Sequence, residues 1–167
     1  CTQAKTHSKL TKKIIFGILA FVIGIIIAYS SESFFRGIIQ DIFKWSTSDK
    51  IQFVGKNFFV FSNKLYFLTF GIGLLILTLD NLNQKLADYL KNIIISLLIF
   101  GILILGFSSL DANLKVVECT ACDNGIRKLH WNDINYGLIL GLSAIFAIIP
   151  NLIRIIKRIK KPAYNNV

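Results

Sequence analysis

Four apolar runs, set apart by charged segments and each approaching the roughly 30 Å thickness of a bilayer's hydrocarbon core, constrain this chain more than anything else in it. The first extends from Ile14 to Tyr29, between Lys12-Lys13 and Ser30-Ser31-Glu32. The second is cleanest from Leu65 to Leu79, and reaches a full span when Phe58 to Phe61 join it and Lys64 extends its ammonium to the interface. The third covers Ile93 to Phe107, extending to Leu110, and the fourth runs from Tyr136 to about Ile156 with Pro150 near its end. That proline removes one helical hydrogen bond and predicts a kink or the start of the helix's exit. With 54% of residues hydrophobic, 17% charged and a mean hydropathy of +0.61, a water-soluble domain is excluded. The expectation is an all-α integral membrane protein forming a single domain over 1–167, a four-transmembrane-helix bundle with spans at about 14–29, 58–79, 92–110 and 136–156.

Orientation follows from the cations, which are retained on the cytoplasmic side of a membrane. The N-terminal segment carries Lys5, Lys9, Lys12 and Lys13, and the tail carries Arg154, Lys157, Arg158, Lys160 and Lys161, so two acid-free segments hold nine of nineteen basic residues. Both termini are therefore expected inside a bacterial cytoplasmic (inner) membrane, which requires an even number of crossings. Residues 80–92 become the cytoplasmic turn, with 30–64 and 108–135 as the external connections. The net charge of +10 is concentrated beside apolar spans and lacks an interleaved aromatic platform, so it is assigned to topology and lipid headgroups, not nucleic acid.

Cys1 stands where an initiator would be, which fits either removal of a methionine or a lipidated residue that would place the N-terminus outside. After the first span, Phe34, Ile38 and Ile42, together with Phe35, Ile39 and Phe43, repeat every four residues, with Arg36, Gln40, Asp41 and Lys44 largely opposite. This pattern predicts an amphipathic helix over about 33–45 in the outer interface, with Trp45 at headgroup depth. Trp131 is expected at the same depth before the fourth span. Residues 51–61 read as a short hairpin or the start of the second helix.

No Asp, Glu, His, Lys or Arg falls near the centre of any expected span, which disfavours proton relays and ion pumps. Small residues recur at Ala20, Gly24 and Ala28, and at Gly137 and Gly141, spacings that let helix backbones approach closely. They fit packing within the chain or against another subunit.

The one constellation with chemical potential lies in the external segment 108–135, where Cys119 and Cys122 have C-x-x-C spacing, Asp123-Asn-Gly125 follows and His130 comes next. Two thiolates and one histidine make a partial zinc site, with Asp123 or Asp133 as a fourth ligand. In an oxidising compartment the same cysteines form a disulfide more simply. Thiol-oxidising membrane enzymes also combine four helices with an external C-x-x-C, but they pass electrons between two cysteine pairs and the only other cysteine here is Cys1. No Ser-His-Asp arrangement, phosphate-binding glycine loop or H-E-x-x-H motif supports hydrolase or nucleotide chemistry. The leading expectation is thus a non-enzymatic subunit working among lipids and other membrane subunits or copies of itself. A thiol-redox or metal protein and a small oligomeric channel are the alternatives.

Overall fold

Beyond Lys12-Lys13 the chain stays helical for much longer than its apolar run requires. The computed structural model describes residues 2–47, 51–55, 64–82, 84–118, 122–123 and 126–160. Its helices are α1 (Thr2–Ser46), α2 (Lys64–Asn81), α3 (Leu86–Glu118) and α4 (Tyr136–Lys160). Three short strands, β1 (Ile51–Val54), β2 (Cys122–Asp123) and β3 (Ile126–His130), and a single 3₁₀ turn at Trp131–Asp133 complete the described elements.

Three of the helices, over Thr11–Ser46, Leu86–Val116 and Trp131–Lys157, are long and apolar enough to cross a membrane, and Leu65–Asn81 is a shorter apolar helix. The protein is accordingly an integral membrane protein. The separate interfacial helix expected over 33–45 is corrected: those residues are the continuation of α1. The polar residues after Tyr29 do not break the helix because each satisfies itself along it. The hydroxyls of Ser30 and Ser31 donate to the Ile26 and Ile27 carbonyls at 2.9 and 2.6 Å, and Glu32 pairs with Arg36 one turn on. At 1.5 Å per residue, α1 from Thr11 extends about 54 Å, so its last turns project well past a bilayer core. The amphipathic face read from the sequence is real but points inward: Ile39, Ile42 and Phe43 join the core with Ile104, Ala112, Leu129 and Ile134.

α3 projects beside α1, and Ser46 Oγ meets Ser109 Oγ at 3.1 Å. Residues 108–118, expected as loop, are therefore the last turns of α3, and the all-α expectation is corrected by a small sheet in the order β1-β3-β2. β1 lies parallel to β3, from Ile51 opposite Arg127 to Val54 opposite His130. β2 runs antiparallel to β3, with Cys122 opposite Arg127 and Asp123 opposite Ile126. Phe53 stacks on Trp131 at 4.3 Å and 11° and so fixes the sheet to the start of α4. β1 ends at Gly55, whose φ of +91° suits glycine, and a Cβ there would lie 3.0 Å from His130 Nδ1.

The helices run up, down, up and down. Ala28 lies level with Tyr66, Asn81 with Asn92, and Phe107 with Phe146. Neighbours around the bundle are α1, α2, α4 and α3 in turn, and α3 closes back on α1 where Phe35 meets Phe100 edge-on at 5.5 Å. α4 continues as a helix through Pro150 to Lys160.

Candidate functional site

The small-residue stripe of α1 makes a close backbone contact with α2. A Cβ added to Gly24 would sit 2.6 Å from the Phe70 carbonyl oxygen and 2.9 Å from the Gly71 Cα, so only glycine allows α1 and α2 this approach. Ala20 and Ala28 are buried on the same face. On α4, Gly137 and Gly141 are buried, and a Cβ on Gly141 would come within 3.3 Å of the Leu65 side chain. Both stripes are used inside this chain.

Two polar clusters bracket the bundle. In the upper one, α1 presents Glu32, Arg36 and Gln40 at successive turns. Arg36 pairs with Glu32 and lies 5.7 Å from the centre of the Tyr136 ring, while Gln40 Nε2 donates to the Tyr136 hydroxyl at 3.1 Å. That hydroxyl donates to the Trp131 carbonyl at 2.9 Å, and the Tyr66 hydroxyl donates to the Ala28 carbonyl at 2.8 Å. These hydrogen bonds make burial of the Tyr66 and Tyr136 hydroxyls tolerable.

The lower cluster joins α2, α3 and α4. Asp80 is fully buried, with Arg154 reaching it at 3.7 Å. Arg154 also donates to Asn92 Oδ1 at 2.7 Å and to Asn151 Oδ1 at 3.0 Å. Asn92 Nδ2 donates to Asn81 Oδ1 at 2.7 Å, and Asn151 Nδ2 donates to the Ser96 hydroxyl at 2.9 Å. Asp80, at the end of α2, is buried, and the partly exposed Arg154 reaches it from α4, so the two charges pair across a helix interface. Nothing local to either residue signals that pairing.

Between the clusters lies a cavity of about 320 Å³ lined by all four helices. Its wall includes Phe35 and Phe70 above and Leu77, Ile93 and Asn151 below, and carries no ionisable side chain. The polar residues that line it already have partners: Ser31 donates to Ile27, Thr69 donates to the Tyr66 carbonyl at 2.9 Å, and Ser96 and Asn151 bond each other. Ile27 of α1 and Leu97 of α3 form its rim, and are 46% and 61% exposed on the outside of the bundle. The exposure of these two lining side chains places the opening of the cavity between α1 and α3. Sequence reasoning missed it because its walls come from four separate segments.

Of the remaining residues singled out in the sequence, Cys1, Cys119 and Lys161 lie outside the described residues. Cys122 is described through its backbone, opposite Arg127 in the β2–β3 pair, so the disulfide or zinc reading of Cys119, Cys122 and His130 lies largely outside the described residues as well. His130 is exposed at the end of β3. Among the described residues there is no group of three or more His, Cys, Asp or Glu side chains suited to a metal ion. Trp45 is 82% exposed, and Trp131 is half-buried beneath Lys44, whose Nζ lies 5.6 Å from its ring. Lys157 is exposed near the end of α4, and Arg158 and Lys160 continue that helix. No family model, curated protein or solved structure matches the chain.

Proposed function

We propose that this chain is a non-enzymatic, four-span membrane subunit of a bacterial cytoplasmic membrane, with both termini inside, whose work is the binding of apolar matter within its helix bundle. The observation that carries the reading is the cavity between the two polar clusters. It lies between those clusters, and its wall offers no charged side chain, while the polar residues that line it are bonded within the protein. Catalysis and proton transfer need a reactive or titratable group at the site, and this wall supplies none.

Four crossings are supported by α2, whose 18 residues extend about 27 Å, close to a bilayer's core. It lies antiparallel to α1 along the apolar stretch from Gly17 to Ala28. The small-residue faces best suited to docking a second subunit are occupied within the chain, so membership in a homo-oligomer or larger assembly would use other surfaces. Exposed apolar side chains such as Ile18, Ile26, Leu98 and Ile102 suit contact with lipid or a neighbouring subunit.

Single cysteines on a cysteine-free background test the topology through labelling by a membrane-impermeant maleimide. Gln52→Cys and Asn135→Cys, both exposed positions, should label in intact cells, and Lys85→Cys only after permeabilisation. Labelling of all three from one side would remove α2 and α3 from the membrane and end the four-span reading.

A further inference from the structure

We infer that the intrabundle cavity is a lateral binding slot for one acyl chain of a phospholipid from the cytoplasmic leaflet, admitted between α1 and α3. The inference rests on the four-span reading and names the ligand of that site.

The chemistry of the wall excludes the other occupants. Water needs two to four polar partners to remain in a cavity, and Ser31, Thr69, Ser96 and Asn151 are already bonded within the protein. A charged or strongly polar ligand would leave its hydration shell and find no counter-charge, since the lining holds no ionisable side chain. An empty space is also unfavourable, because wall atoms without neighbours forfeit their dispersion contacts. The medium on the open side is hydrocarbon, so the nearest material that fills the space without desolvation cost is an acyl chain.

Size and depth agree with this occupant. At about 320 Å³ the cavity is roughly twice the size of an engineered one that holds benzene, enough for roughly a dozen carbon atoms but not for a second chain. Along α1 it extends from Gly24 to Phe35, about 16 Å of helix. Its lower end at Ile93 lies two residues, about 3 Å of helix, inside the exposed Lys91, the depth at which a phosphate headgroup meets a cation. A chain hanging from such a headgroup would enter past Leu97 and Ile27 and end beneath the Phe35, Phe70 and Phe100 rings, which pack at 5.5 to 6.0 Å and close the top.

The test uses the full chain reconstituted in phosphatidylethanolamine and phosphatidylglycerol vesicles containing a phosphatidylglycerol with a diazirine midway along one acyl chain. After illumination, adducts are mapped by peptide mass spectrometry. The slot predicts adducts on wall residues Leu74, Ala147 and Ile148 in addition to Ile26, Leu98 and Ile102 on the outer faces. Leu97→Trp, an exposed rim substitution, should lower the interior adducts by about tenfold and leave the outer ones unchanged. Outer adducts without interior ones in the wild-type protein overturn the slot while leaving the membrane reading intact. Loss of both classes would instead overturn the four-span reading. Interior adducts unaffected by Leu97→Trp would reject entry between α1 and α3.

Discussion

Arg154 on α4 and Asp80 at the end of α2 lie 3.7 Å apart across a helix interface, with the Asp80 side chain wholly buried and that of Arg154 36% exposed. Asn92 and Asn151 hold the guanidinium in place at 2.7 and 3.0 Å. Such a pair fixes how helices meet more than it adds net stability, since both ions lose hydration to form it.

Removing one partner should therefore cost more than removing both. Arg154→Met leaves Asp80 buried beside an apolar side chain, and should destabilise the protein by about 3 kcal/mol, the low end for a broken buried pair because Arg154 is partly hydrated. Adding Asp80→Asn should recover much of that loss. Unfolding midpoints in mixed micelles of sodium dodecyl sulfate compare the variants, and equal losses in the single and double variants would show that the pair does not couple the helices.

Gly24 should tolerate no side chain without separation of α1 from α2. Its added Cβ would strike backbone atoms of Phe70 and Gly71, which unlike a flexible side chain cannot swing aside. Gly24→Val should cost about 2 kcal/mol by overpacking. Gly101→Ala, where an added Cβ meets nothing within 4 Å, should change stability by less than about 0.5 kcal/mol. The same micelle titration measures both, and equal effects would place the close contact elsewhere.

The Phe53–Trp131 stack joins β1 to the foot of α4 across 78 positions of sequence. Trp131→Ala should loosen the sheet without unfolding the bundle, since the ring pair contributes about 1 kcal/mol beyond its burial. Hydrogen exchange should then accelerate at the amides of Ile51–Val54 and Ile126–His130 while those of α2 keep their protection. Uniform acceleration would show that the sheet and bundle unfold together.

Cys119 and Cys122 carry a separate prediction from their C-x-x-C spacing. On the proposed topology the 108–135 segment faces an oxidising compartment, where the two thiols should be joined and reduction should raise the intact mass by that of two hydrogen atoms. Zinc retained in native mass spectra, or no mass change on reduction, would reject the disulfide.

Much of this architecture was legible because hydropathy is a local property, summed along the chain without knowledge of its neighbours. Ile93 to Phe107 and Tyr136 to Ile156 announce α3 and α4 directly. The four-residue repeat of Phe34, Ile38 and Ile42 was also read correctly as a helix with one apolar face. What it faced was not legible, since an interface and a protein core both satisfy an apolar stripe. Ile51–Val54 could not be assigned because its partner strand begins more than seventy residues later.

The sequence by itself determined that the chain is helical and membrane-embedded, where its apolar runs lie and which helix faces are small. Local composition decides those properties through the cost of placing polar groups in hydrocarbon. Only the tertiary structure decided that α1 runs unbroken to Ser46, that Gly24 meets Gly71, that Asp80 is buried against Arg154 of another helix, and that four helices line a cavity. Each of these depends on segments distant in sequence arriving at one place, and pairing of that kind leaves no trace in the hydropathy of either partner.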